Sequence, residues 1–429
     1  MPRRTGATRQ PDRGYGVSTA TTSPEPPAGD GIQSPGPSRL NPLAAARRRL
    51  RTGELGAWPV IIGLIVIWAV FQSLNDAFLT PQNLSNLALQ IAATGTISVG
   101  VVLVLLLGEI DLSVGSVAGV GAAVLAVLTV RNGWGDVAAI IAVVVLGVLI
   151  GILHGSVFAR LGVPAFVVTL AGNIGWQGLQ LYLLSPEGTI NLPYTGPIGD
   201  LTHTNLSTPL GWVVGAIAVG LYAVAVLVDS QRRRAAGLPI RKPVGSLLRV
   251  AGLAVLVAAT VAVLNAWQGV PVALLIFVGL VVLVDLMLRR TRYGRGIFAV
   301  GGNVEAARRA GINVSLIRIS VFALTSALAA FGGILTASRG FSASQSTGAS
   351  DTLLIAIAAA VVGGVSLFGG RGSTYGALLG SLVLGSITSG MFLLQLNSAV
   401  RFMITAAVLL AAVILDSLSR RGRRASGRQ

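Results

Sequence analysis

RRTRYGRGIFAVGGNVEAARRAGIN, residues 289–313, decides the reading of this chain, because it is the one long polar, basic, helix-capable segment set between hydrophobic runs. Asn303 is placed to cap a short helix over Val304 to Ala310. Glu305 falls in its first turn and Arg308 and Arg309 in its last, which suits the helix dipole at both ends, and Gly311 stands where a left-handed residue closes such a helix. Glu305 and Arg309 also have the four-residue spacing of a side-chain ion pair. Val304, Ala307 and Gly311 form a stripe of small residues that another surface can approach closely; the alternative is a solvated loop helix with no partner. The element is too short and too charged to cross a bilayer, whereas the runs on either side of it are not.

Apolar runs of the length a bilayer requires, about 17 to 25 residues, recur along the whole chain, near 58–75, 84–107, 112–130, 137–158, 164–184, 211–228, 247–266, 271–288, 316–337, 352–368, 375–394 and 399–416. With 53% hydrophobic residues, 11% charged residues and a mean hydropathy of +0.77, the composition excludes an ordinary soluble domain. The fold expected is all-α, a polytopic membrane protein with about 10 to 12 transmembrane helices, some of them broken. There is no cysteine, and the two histidines are His154 and His203, so disulfides and Cys/His zinc sites are excluded. The single lysine, Lys242, follows Arg241, so no phosphate-binding Gly-Lys-Ser/Thr loop exists. No Ser/His/Asp or paired-carboxylate constellation marks an enzyme, and no cofactor or metal site is expected.

The formal charge of +17 is explained by topology rather than by nucleic acid. Residues 1–57, rich in Pro, Gly, Ser, Thr and Arg, are expected to be a disordered basic cytoplasmic tail. Arg3 and Arg4 are followed by no hydrophobic core until Trp58, too late for an export signal. Arg47, Arg48, Arg49 and Arg51 would hold that end inside, against anionic membrane lipid. Alternation of spans then leaves only Arg131, Arg339 and Arg401 outside, and places 289–313 and a basic tail at 419–429 in the cytoplasm. The longest outer loop, 185–209, either packs over the outer mouth or merely connects.

Three stretches within the apolar part carry polar chemistry. In GEIDLSVGSVAGVG (108–121), Glu109 and Asp111 would face nearly opposite sides of one continuous helix, so a break is expected. Gly108 would end one span, and Asp111 with Ser113 would cap the next ahead of Gly115, either only as a cap or as a ligand contact. In VPAFVVTLAGNIGWQG (163–178), Thr169, Asn173 and Gln177 recur every four residues as a polar stripe expected to face a lumen or another helix. Trp176 offers a stacking face to a sugar, while Trp58, Trp134, Trp212 and Trp267 read as interface anchors. GGVSLFGGRGSTYGALLG (363–380) has seven glycines and one charge, Arg371, and reads as a second break equivalent to the first.

Residues 299–314, AVGGNVEAARRAGINV, resemble the cytoplasmic coupling loop of permease subunits of ATP-binding-cassette (ABC) importers for monosaccharides, although the Ile-x-Leu-Pro that follows in the broader permease motif is absent. Ile110 to Gly115 is similar to the motif shared by ribose, arabinose, galactose and xylose permeases, and Glu109 resembles the xylose branch. The insertion at 232–245, RRRAAGLPIRKPVG, points the same way, whereas His154, Asn173 and Gln177 stand where that branch tends to carry Asn, Met and Arg. The resemblance spans about 58–418. It implies a type II importer-like permease domain, docking to two ATPase subunits through Gly301, Gly302, Asn303, Glu305, Ala306, Ala307, Arg308, Arg309, Gly311 and Asn313. It further implies a path involving Glu109, Asp111, Ser113, Gly115, Thr169, Asn173 and Gln177, and a second permease copy. An extracytoplasmic sugar-binding protein and a plasma-membrane location complete the set, with ATP used by the partner, for xylose or a related monosaccharide. The alternatives are an ion-coupled secondary transporter using Glu109 and Asp111, an ABC permease for a nucleoside or other non-pentose solute, and a non-transporting scaffold.

Overall fold

The computed structural model describes residues 58–239, 243–348 and 350–425, over which the chain is almost wholly helical. The expected tail 1–57, with Arg47 to Arg51, and Lys242 lie outside the described residues. Helices α1 (Trp58–Leu74), α2 (Pro81–Leu106), α3 (Val114–Ala126, continued by a π-helical turn over Val127–Arg131), α4 (Asp136–Leu161) and α5 (Ala165–Leu183) come first. After the short α6 (Pro197–His203) follow α7 (Thr208–Ala235), α8 (Pro243–Asn265) and α9 (Val272–Arg290). Two short helices, α10 (Arg292–Gly302) and α11 (Val304–Arg309), precede α12 (Val314–Gly340), α13 (Ser350–Val362), α14 (Thr374–Leu393) and α15 (Ser398–Ala425). Each of the twelve apolar runs contains a helix, and among the described residues eight helices are long and apolar enough to cross a membrane.

The centre of the bundle is α2, buried along almost its whole length from Leu87 to Leu106, with α12 lying across α2, α3 and α4. Backbone contact makes this possible. Gly147, Gly151 and Gly155 recur every four residues on α4 and face α12, where a Cβ at Gly151 would stand 2.2 Å from the Phe322 carbonyl oxygen. Buried hydroxyls then join helices through main-chain carbonyls: Thr325 donates to Gly100 O (2.9 Å), Ser98 to Ala356 O (2.9 Å) and Thr374 to Val281 O (2.7 Å). In hydrocarbon such groups have no water to turn to, so the bonds fix helix register as well as satisfy the donors. The pair α7 and α8 is different, packing chiefly on itself at the rim with Leu221, Leu247 and Leu256 exposed, as suits a lipid-facing hairpin.

One end of the bundle is closed by two short antiparallel pairs: β1 (Thr189–Asn191) with β4 (Ser342–Ser344), and β2 (Asn205–Leu206) with β3 (Val270–Pro271). Here α6 is fastened to α12, since Ser338 donates to Ile198 O (2.6 Å) and shares a hydrogen bond with Thr202 (2.7 Å). The 185–209 segment is therefore an ordered lid over the helix ends and not a plain connector. The far end carries α10 and α11.

Three expectations require correction. The run 352–368 does not stay helical: α13 stops at Val362, and the chain turns through Gly364, Gly369 and Gly370, all at positive φ. α10 was not expected, because Gly294, Gly296, Gly301 and Gly302 depress its helix propensity; burial of Ile297 and Val300 overrides that cost. Lastly, α15 runs on to Ala425, into the residues read as the C-terminal tail.

Candidate functional site

The polar element at the far end is built by successive caps. Thr291 accepts from Gly294 N (3.0 Å) to start α10, Asn303 accepts from Ala306 N (2.9 Å) to start α11, and Asn313 accepts from Leu316 N (3.0 Å) to start α12. Gly311, at φ 79°, lets the chain turn between α11 and α12. Tyr293 donates to Ser320 Oγ (2.9 Å) and ties α10 to α12. Burial pushes its phenol above the ordinary tyrosine value, opposed by the Ser320 bond, so it remains a donor at neutral pH.

On α11 the ion pair is Glu305 with Arg308 (2.9 Å), at three residues' spacing, and not Glu305 with Arg309. Most of the small-residue stripe is turned inward: Ala307 is buried and Val304 packs on this chain's own core, which leaves Gly311 as its exposed member. What α11 leaves exposed is the opposite face, Glu305, Ala306, Arg308 and Arg309, flanked by exposed Gly302, Asn303, Gly311 and Asn313.

Under this element three backbones meet with no side chain between them. A Cβ at Gly301 would stand 1.8 Å from Leu106 O, at the end of α2, and 2.9 Å from Gly370 N. Gly370 N in turn donates to Leu106 O (2.9 Å), and a Cβ at Gly369 would reach Gly301 O (2.6 Å) and Gly108 N (2.8 Å). Both sequence breaks, 108–121 and 363–380, thus converge on the base of α10. Farther along α3, a Cβ at Gly115 would meet Gly348 O at 2.8 Å, so that glycine admits the 345–348 turn.

The break at 107–113 parts its two acids as expected. Glu109 lies 3.6 Å from Arg318, whose guanidinium sits 4.4 Å above the Phe158 ring. Asp111 is buried, and its Oδ1 accepts from both Ser113 N (2.8 Å) and Ser113 Oγ (2.6 Å). Ser113 does stand at the N-cap of α3, but its hydroxyl makes no cap bond and turns to Asp111 instead. Ser113 Oγ also lies 3.3 Å from His154 Nδ1, while Trp176 Nε1 donates to His154 Nε2 (3.0 Å). An indole N–H only donates, so His154 Nε2 must be the acceptor and Nδ1 carries the proton. The donors then run one way: Trp176 to His154, His154 to Ser113, Ser113 to Asp111. His154 and Trp176 line a cleft of about 390 Å³ between α4 and α5, whose other walls are Leu153, Val157, Val168, Ala171, Gly172 and Gly175.

The family model described as "Branched-chain amino acid transport system / permease component" matches residues 83–413. The chain belongs to this permease family. Among its relatives are the xylose transport system permease protein XylH of Escherichia coli K12, 35% identical over 381 residues (89% of this chain and 96% of the relative), and its Haemophilus influenzae counterpart, 33% identical over 374 residues (87% and 99%). The ribose import permease protein RbsC of Escherichia coli K12 is 32% identical over 362 residues (83% and 92%). No solved structure matches. The permease is a multi-pass membrane protein, and its relatives are transport proteins rather than enzymes.

In this permease burial falls off along the polar stripe on α5. Thr169 is buried and spends its hydroxyl on Ala165 O of its own helix (3.0 Å), Asn173 is half-buried and Gln177 is exposed. The buried amide of α5 is Gln180, not singled out from the sequence, which donates to Ser344 O (2.9 Å) and Thr347 O (2.8 Å). Arg318 was missed too. A lone arginine at the third position of the apolar run 316–337, with an acid elsewhere in the membrane, is the signal that finds it.

Proposed function

We propose that this chain is the membrane-spanning subunit of an ATP-driven importer for xylose or a related monosaccharide. The observation that carries this reading is the α10–α11 element: capped at every turn, seated on a side-chain-free backbone junction, and showing a polar face to its surroundings. An ATPase subunit gripping that face on the cytoplasmic side moves the ends of α2 and α10 together with the 366–372 loop. The functional unit pairs two copies of this chain with two ATPase subunits, and a sugar-binding protein docks at the strand-bearing end outside. Both termini are then cytoplasmic, and ATP is bound by the partner. The relatives' names, xylose transport and ribose import, supply the substrate class.

Energetics support the division of labour. Carrying a two-state equilibrium from mostly one side open to mostly the other requires about 5.5 kcal/mol. The exposed Glu305–Arg308 pair offers at most about 1 kcal/mol. Ion coupling through Glu109 is disfavoured because Arg318 already faces that carboxylate.

The test is uptake of radiolabelled xylose by cells producing the permease with its ATPase and binding protein. Glu305→Ala should lower uptake about tenfold, within the range of ordinary coupling between sites, with the amount of folded permease in the membrane preserved. Unchanged uptake would remove the coupling role, and uphill accumulation by the permease alone without nucleotide would overturn the reading as a whole.

A further inference from the structure

The chain Trp176, His154, Ser113, Asp111 connects the wall of the α4–α5 cleft to the break between α2 and α3. It has no slack. Each donor has one acceptor, His154 is buried with both ring nitrogens engaged, and Gly172 leaves the space that the His154–Trp176 bond occupies. A Cβ at Gly172 would stand 2.5 Å from His154 Nε2 and 3.3 Å from Trp176 Nε1. The other end of the chain is anchored beside the backbone junction: Asp111 follows Gly108, whose N would lie 2.8 Å from a Cβ on Gly369, and Gly369 abuts Gly301 at the end of α10. The one spare acceptor is Asp111 Oδ2, buried with no hydrogen-bond partner among the described residues. A turn of the break can therefore pass the Ser113 hydroxyl from one carboxylate oxygen to the other without stranding the charge.

We propose that Asp111, Ser113 and His154 are positioning residues that tie Trp176, on the cleft wall, to the helix break over the coupling element, so that displacement of α10 and α11 re-aims the indole in the cleft. This rests on the permease reading above. The aromatic face then meets a sugar's C–H surface in one state of the cycle and withdraws in the other. Stacking suits transit here because the His154 nitrogens and the indole N–H are already engaged and hold no hydrogen bond in reserve for a sugar.

A contiguous set of bonds becomes a transmission route only when coupling is measured. The permease, reconstituted in liposomes with its ATPase and binding protein, gives ATP hydrolysis and xylose uptake together. His154→Leu should cut the sugar moved per ATP about tenfold while ATP hydrolysis continues, and Trp176→Phe, which keeps an aromatic face and loses the N–H, should do the same. The double variant should be no worse than either single one. His154→Gln, which keeps an acceptor for the indole, should recover most of the loss. An unchanged ratio in both single variants, losses that add, or no recovery with glutamine would overturn the proposal. Trp176→Phe serves where His154→Leu fails to fold. If the unaltered complex moves no sugar, the permease reading fails instead. In that event the fluorescence of a variant keeping only Trp176 decides: an emission change on adding a non-hydrolysable nucleotide, lost with His154→Leu, supports the link, and its absence overturns it.

Discussion

Gly301 carries the strictest steric demand at the coupling end, and its neighbour Gly302 carries none: a Cβ at the first would overlap Leu106 O, while a Cβ at the second meets nothing within 4 Å. The contrast gives a paired prediction. Gly301→Ala should lower the thermal midpoint of the purified permease by the equivalent of about 1–3 kcal/mol and abolish uptake, whereas Gly302→Ala should stay within about 0.5 kcal/mol in the same melt. Equal midpoints would mean that the junction yields more readily than its contacts imply. From the sequence, 108–121 and 363–380 were legible as breaks because glycine and acid interrupt apolar runs there. That they touch each other was not legible, since composition says nothing about which distant backbones approach. His154 and Trp176 are likewise conspicuous one at a time. They meet only because Gly162, at φ 73°, folds α5 back along α4.

Helix α11 shows what local rules can reach. Its cap, its acidic first turn, its basic last turn and its closing glycine all follow from residues 303–311, and the structure agrees on each. The direction of its buried face did not follow, because a stripe of valine, alanine and glycine suits this chain's own core as well as a partner's. Asn303→Ala should cost about 1 kcal/mol of local stability and speed amide exchange over 304–309 in hydrogen-exchange mass spectrometry. Asn303→Asp keeps the acceptor and should not. Indistinguishable exchange in the alanine variant would show that packing alone holds α11. Hydropathy also overran the end of α13, where the residues stay apolar but glycines at positive φ turn the chain.

Taken whole, the molecule has two unlike ends, and the absence of cysteine makes their sidedness directly measurable. A cysteine at exposed Ala306 should react with a membrane-impermeant maleimide only from the cytoplasmic side, and one at Tyr194, 79% exposed, only from outside. The reverse pattern would invert the topology and remove α11 from reach of an ATPase. The all-helical, many-span architecture was plain from twelve apolar runs, since hydrocarbon permits little else; the strands that close one end were not, being two or three residues long. Those strands have a modular consequence. Because Leu206 pairs with Val270, the chain leaves the bundle to make α7 and α8 and returns to where it left. The excursion is seated on the bundle by Val261 and Leu264, buried with Ala88 of α2, and its length sets only a parity: exchanging it for a tight hairpin turn subtracts two crossings, and every later segment keeps its original side of the membrane.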